Sequence, residues 1–251
     1  MSDHNEEATG ATEGVRVEVT LPAPFDVVWP WVRDPALVNR WHGWEYEGLA
    51  DEIQFMFVTH AVADEDARTL QIGNHLFSFE ERGSGTVVRL TRSAPALDKE
   101  WTEAYYDMVE HGWTVFLEQL RFALARHRDE ERRTVFLYGR LSQPVMTCEA
   151  LGLTGVAAQP PGSRYAVTLR TGDDLAGEVW FVTDHEVGLT VDDWGDGLMV
   201  VATEQEDDPA GPRSMAVLTT YGVDNAGVKA IRERWTQWWT ANHKAEELTS
   251  S

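Results

Sequence analysis

One order of patterns runs through this chain twice, and that recurrence limits its possible folds more than any single motif does. Gly73-Asn74-His75-Leu76-Phe77 parallels Gly195-Asp196-Gly197-Leu198-Met199, and Trp113 with Phe116 and Leu117 parallels Trp235 with Trp238 and Trp239. Gly73 stands 40 residues before Trp113, and Gly195 stands 40 residues before Trp235. The second hairpin loop, Glu204–Arg213, is longer and the second helix shorter, so the equal spacing combines compensating changes. These parallels predict an internal duplication in which strands precede a long amphipathic helix in each half.

The periodicity gives the elements. Val15 to Leu21 alternates apolar and polar residues, as a half-buried strand does, and Pro22 and Pro24 end it. Phe25, Val28, Trp29 and Val32 follow at helical spacing. Asp34 before Pro35 predicts a capped second short helix running to Trp41. From Asp51 to Arg92 the pattern predicts an antiparallel meander. Its strands are centred on Ile53, Phe55 and Phe57, then on 69–72, 76–81 and 86–92, with a tight turn at Gly83-Ser84-Gly85. A long helix is expected from Asp98, its N-cap, to His127. Beyond the charged junction Arg126–Arg133 the order recurs: a strand at 134–138, a short helix at 144–153, five strands between Tyr165 and Tyr221, and a helix from Asn225 to His243 capped by Asp224. The expected units are 15–128 and 133–243. Polar stretches at 1–14 and 244–251 are too poor in bulky apolar residues to pack, and read as disordered tails.

Charge narrows the functions. The chain carries 21 basic and 42 acidic residues, a net charge of −21, and a field of that sign repels nucleic-acid backbones and anionic lipid. Cys148 is the single cysteine, so neither an intrachain disulfide nor a thiolate metal cage can form, and the residue reads as a small buried apolar group. Residues 1–14 lack the apolar core of a signal peptide, and no apolar run approaches the roughly 18 residues of a membrane helix. The expected setting is the reducing cytoplasm.

A strand, two short helices, an antiparallel meander and a long helix follow one another in the helix-grip fold. In that order the first half resembles the START-like (SRPBCC, birch-pollen-allergen-like) superfamily. Val17 to Trp44 is similar to the opening of its branch related to the activator of the heat-shock-protein-90 ATPase. Pro24, Val28 and Trp29 match one recurring motif of that branch, and Asp34, Pro35 and Trp41 another. Gly112-Trp113, followed by Phe116, Leu117 and Leu120, is similar to its C-terminal helix. The resemblance covers 15–128; over 129–243 only strand order and the final helix match. It implies an α+β helix-grip fold in two tandem units, the second degenerate. Members of the superfamily bind, carry or cyclise apolar molecules, or act as co-chaperones. The matched motifs define the fold rather than chemistry, and Trp29 and Trp41 read as packing anchors.

No metal-protease, phosphate-loop or nucleophile-elbow motif is present, and the eight histidines show no metal-ligand spacing. No cofactor or metal is implied. His42 near Glu45 and His111 beside Glu110 are candidate base–carboxylate pairs. Asp192, Asp193 and Asp196, with Asp173, Asp174 and Asp184, match no calcium loop and read as solvated turns. A sheet curled around a helix leaves a space that is either filled or a ligand cavity. Its candidate ligand-binding wall is Phe55, Phe57, His75, Phe77, Phe79, Tyr105, Met108, Gly112 and Trp113, with Gly112 leaving room and His75, Glu110 and His111 supplying polarity. The second half offers Cys148, Trp180, Trp194, Met199, Tyr221 and Trp235, expected to form a filled or shallow core. The leading expectation is a cytoplasmic protein that binds a small apolar or aromatic molecule. A chaperone-like protein partner is one alternative. A cyclase or hydrolase using His75, His111 or Glu110 as general base is the other.

Overall fold

The computed structural model describes residues 14–92, 103–204 and 212–244, with side chains for all of these except 103–110. The expected tails and the Asp98 cap lie largely or wholly outside them. The first half begins with β1 (Val17–Leu21), α1 (Phe25–Trp31) and α2 (Pro35–Val38). Asp34 caps α2 by accepting a hydrogen bond from the Ala36 amide at 2.8 Å, with Pro35 at the first helical position. There follow α3 (Leu49–Ile53), a π-helical segment (Gln54–Thr59), β2 (Val62–Asp64), β3 (Thr69–Ile72), β4 (His75–Arg82), β5 (Gly85–Arg92) and the long α4 (Glu103–Arg126).

The second half contains β6 (Arg132–Arg140), α5 (Thr147–Leu151), α6 (Thr154–Ala157), β7 (Arg164–Thr168), β8 (Asp174–Val182), β9 (Glu186–Val191), β10 (Gly197–Glu204), β11 (Arg213–Tyr221) and α7 (Asn225–Asn242). Two antiparallel sheets result, ordered β1-β5-β4-β3-β2 and β6-β11-β10-β9-β8-β7. Both are wired alike, with the first strand paired to the last and the others following by hairpins. The second sheet is the larger, six strands against five, so what shrinks in the second half is its helix and not its sheet.

The strand expected at Ile53–Phe57 is instead α3 and the π-helical segment. Leu49, Ile53 and Phe57, at intervals of four, are buried, while Phe55 is 57% exposed. A helical stripe lies beneath the local alternation, and burial of that stripe decides the conformation. The Arg33 guanidinium donates to the Phe57 carbonyl near the end of this segment.

Three layers of core explain the architecture. Trp113, Leu117, Leu120 and Leu124 on α4 pack with β1, β4, β5 and α1. Two residues from Trp113, Val115 turns the other way with Phe122, against Leu198, Val200, Ala202, Met215 and Val217 of the second sheet. The intervening strand residues Met199, Val201, Ala216 and Leu218 face Val228, Ile231, Trp235 and Trp239 of α7. The second sheet is therefore covered on both faces, by α4 on one and α7 on the other, and α4 is shared by both sheets.

Candidate functional site: a cleft between the long helix and the second sheet

The cover that α4 gives the second sheet is incomplete near Gly112. Among the described residues a Cβ built there would meet only the Phe116 ring, at 4.0 Å, so the glycine leaves open space on that side. The result is a cleft of about 350 Å³, within the size range of small-molecule sites. Gly112, Val115 and Phe116 line it from α4; Phe136, Tyr138 and Met215 line it from β6 and β11. Trp44, on the loop after α2, closes one side by lying flat on Phe136, with ring centroids 3.5 Å apart and planes 2° from parallel.

That loop is firmly tied. The Glu45 amide donates to Thr134 Oγ1 at 2.6 Å, and the Glu45 carboxylate accepts from the Thr134 amide at 3.0 Å and from Arg133 Nε at 2.8 Å. Behind it the buried Arg132 guanidinium donates to the carbonyls of Asn39 (3.1 Å), Trp41 (3.0 Å) and His42, and to Gln119 Oε1 (2.7 Å). Burial pulls its pKa down to about 10, so it remains charged at neutral pH.

The wall is apolar and one end is polar. Glu204, only 7% exposed at the end of β10, accepts a hydrogen bond at Oε2 from Tyr138 Oη at 3.0 Å. Tyr138 Oη in turn accepts from Arg213 Nη1 at 3.1 Å. Burial raises the Glu204 carboxyl above the usual range, against the opposing pull of the Tyr138 hydrogen bond and the charges of His111 and Arg213. Burial also raises the Tyr138 phenol. Close by, His111 Nδ1 donates to Glu186 Oε1 at 2.8 Å, and Glu186 also accepts from Thr183 Oγ1. An apolar slot ending in a hydrogen-bonded carboxyl can bury a flat apolar body and orient one polar group.

The residues expected to form a wall in the first half divide among several places. Phe57, His75 and Phe77 surround Trp113, with ring centroids 6.4, 6.2 and 4.8 Å from it. Phe79 lies farther along β4 against Phe25 and Trp29. Phe55 points outward beside His60, and Gly112 opens toward the second sheet rather than into the first-half core. The side chains of Tyr105, Met108 and Glu110 lie outside the described residues. His42 pairs with Glu52, Nε2 to Oε1 2.8 Å, and not with Glu45. His111 pairs across the interface with Glu186.

The second-half candidates fall on both faces of their sheet. Trp194, Met199 and Trp235 lie with α7, whereas Trp180 and Tyr221 lie toward α4. Cys148 lines a smaller recess of about 240 Å³ with His185 and Thr203, and burial pushes its thiol up to about 11. Among the described residues no cluster of His, Cys, Asp or Glu could hold a metal ion. Asp192 pairs with Arg164 and Asp196 with Arg126. None of the described helices is long and apolar enough to cross a membrane.

Sequence reasoning missed Trp44, Phe136, Tyr138, Glu204 and Met215. A signal was present: Leu198-Met199-Val200-Val201-Ala202 and Met215-Ala216-Val217-Leu218 are unbroken apolar runs, which mark strands covered on both faces.

No family model and no curated protein matches this chain. Among solved structures it aligns with DynU16, a protein in the dynemicin biosynthetic locus, at 15% identity over 90% of this chain and 94% of that one, with a TM-score of 0.28. It also aligns with StfQ, the di-domain ARO/CYC of the steffimycin biosynthetic pathway, at 11% identity over 90% and 93%, with a TM-score of 0.31.

Proposed function

We propose that the chain is a tandem of helix-grip units, 15–128 and 133–243, and that it binds a small apolar or aromatic molecule in the cleft between α4 and the second sheet. The shared wiring of the two sheets supports the tandem reading. The observation that carries the function is the aromatic-walled opening of about 350 Å³ beside Gly112, where a helix would ordinarily place a side chain. Apolar surface left open in such a slot gains free energy when a ligand covers it, about 25 cal/mol per Å² before the costs of association.

Gly112→Leu tests this directly. The new side chain enters open space, so melting temperature holds or rises while titration with a solvatochromic apolar dye shows binding lost. Unchanged dye affinity in the variant would place the ligand elsewhere. A parent protein that binds no dye would remove the reading.

A further inference from the structure

The polar end of the cleft has more definition than an apolar slot requires. Glu204 is held from behind: Tyr138 Oη donates to Oε2, and Arg213 fixes Tyr138 by donating to the same phenol oxygen. The other carboxyl oxygen, Oε1, makes no hydrogen bond among the described residues, and Glu204 lines the cleft. Oε1 therefore keeps solvent access at the cleft, and a ligand that supplies a donor there takes the place of water on a carboxyl whose other oxygen is already fixed.

The rings add a second constraint. Trp44 and Phe136 are parallel, and Phe136 and Tyr138 are within 13° of parallel with centroids 6.2 Å apart. Such a wall suits a flat ring system. Resting on the binding reading above, we propose that the ligand is a planar aromatic molecule bearing a hydroxyl group, which donates its hydrogen bond to Glu204 Oε1 while its rings lie along Phe136 and Tyr138.

A hydroxyl fits better than an amine for a reason of charge. The Arg213 guanidinium is already at this end, 5.8 Å from the Tyr138 ring centroid, and a cationic ligand would face it. A hydroxyl also pairs with Glu204 in either protonation state: it donates to the carboxylate, and it both donates to and accepts from the acid.

Three probes with one ring system separate these chemistries: 2-naphthol, 2-methoxynaphthalene and 2-naphthylmethylamine, each titrated calorimetrically into the full chain. The expected result is that 2-naphthol binds roughly tenfold more tightly than its methyl ether, the scale of one hydrogen bond to a buried polar group. Glu204→Leu should erase that preference while leaving the affinity of the ether in place, which also checks that the variant folds. Glu204→Gln, which keeps an acceptor, should retain part of it. Equal affinities for naphthol and ether in the parent, or a preference that survives Glu204→Leu, would overturn the proposal and leave apolar binding standing. Tightest binding by the amine would overturn it in favour of a counter-ion role. Failure of every probe would overturn both readings together.

Discussion

Trp41 and Trp29 illustrate how burial, more than residue type, sets what a side chain contributes. Trp41 is 1% exposed, packs edge-on to Phe57 and donates its indole N–H to the Trp31 carbonyl at 2.8 Å. Trp29 is half-buried against Phe25 and Phe79. Trp41→Ala should therefore destabilise by about 3–5 kcal/mol and Trp29→Ala by clearly less, as read from urea denaturation. Two buried histidines give a pH dependence. Burial lowers the pKa of His42, and burial with the nearby Arg92 charge lowers that of His75 to about 4. Both histidines titrate below the unfolded 6.5, so the unfolded chain binds more protons once pH falls below 6.5, and their contribution is complete above 6.5 and lost on acidification, for His75 down to about pH 4. Glu204 and Glu118, whose carboxyl pKa values are raised by burial, act in the opposite direction above about pH 4.5. The histidine part is isolated by His75→Phe, which should flatten the fall in the denaturation midpoint between pH 7 and pH 5.

At the scale of elements, the two glycines that looked equivalent in sequence have different surroundings. Gly73 and Gly195 both adopt positive φ, 55° and 69°. A Cβ at Gly73 meets nothing within 4 Å among the described residues, whereas one at Gly195 would sit 1.7 Å from the Tyr221 carbonyl oxygen. Gly73→Ala should cost about 1–2 kcal/mol of backbone strain, and Gly195→Ala a good deal more because β11 must also shift; thermal melts of the pair check this. Most elements were legible because each repeats its pattern over several residues: the alternation of β1, the Asp34 and Asp224 caps, and the apolar stripe of α7. The π-helical segment was not, because six residues hold too few turns to separate a period of two from one of four. The cleft was illegible for a different reason. Its walls come from a loop, a helix and three strands far apart in sequence, and periodicity within an element says that a face is buried without naming what buries it.

For the whole molecule, Arg132 is the central tie. One guanidinium on β6 holds three carbonyls of the segment after α2 and a glutamine of α4. Arg132→Met keeps the stem but leaves those acceptors unpaired in a buried site, and should destabilise by about 3–5 kcal/mol. It should also loosen Trp44, seen as faster hydrogen exchange at 39–46. Because α4 lies in both cores, calorimetry of the full chain should give one transition rather than two.

The shared helix also has a consequence in time. Translation delivers α4 with one face able to settle at once on a finished first sheet, while Val115 and Phe122 on the other face wait for strands not yet made. At about 5–20 residues per second, the strand that completes their cover emerges many seconds later. During that interval the nascent chain carries an unsheltered greasy strip, and the order of synthesis, rather than final stability, sets when it is most open to sticking to its neighbours.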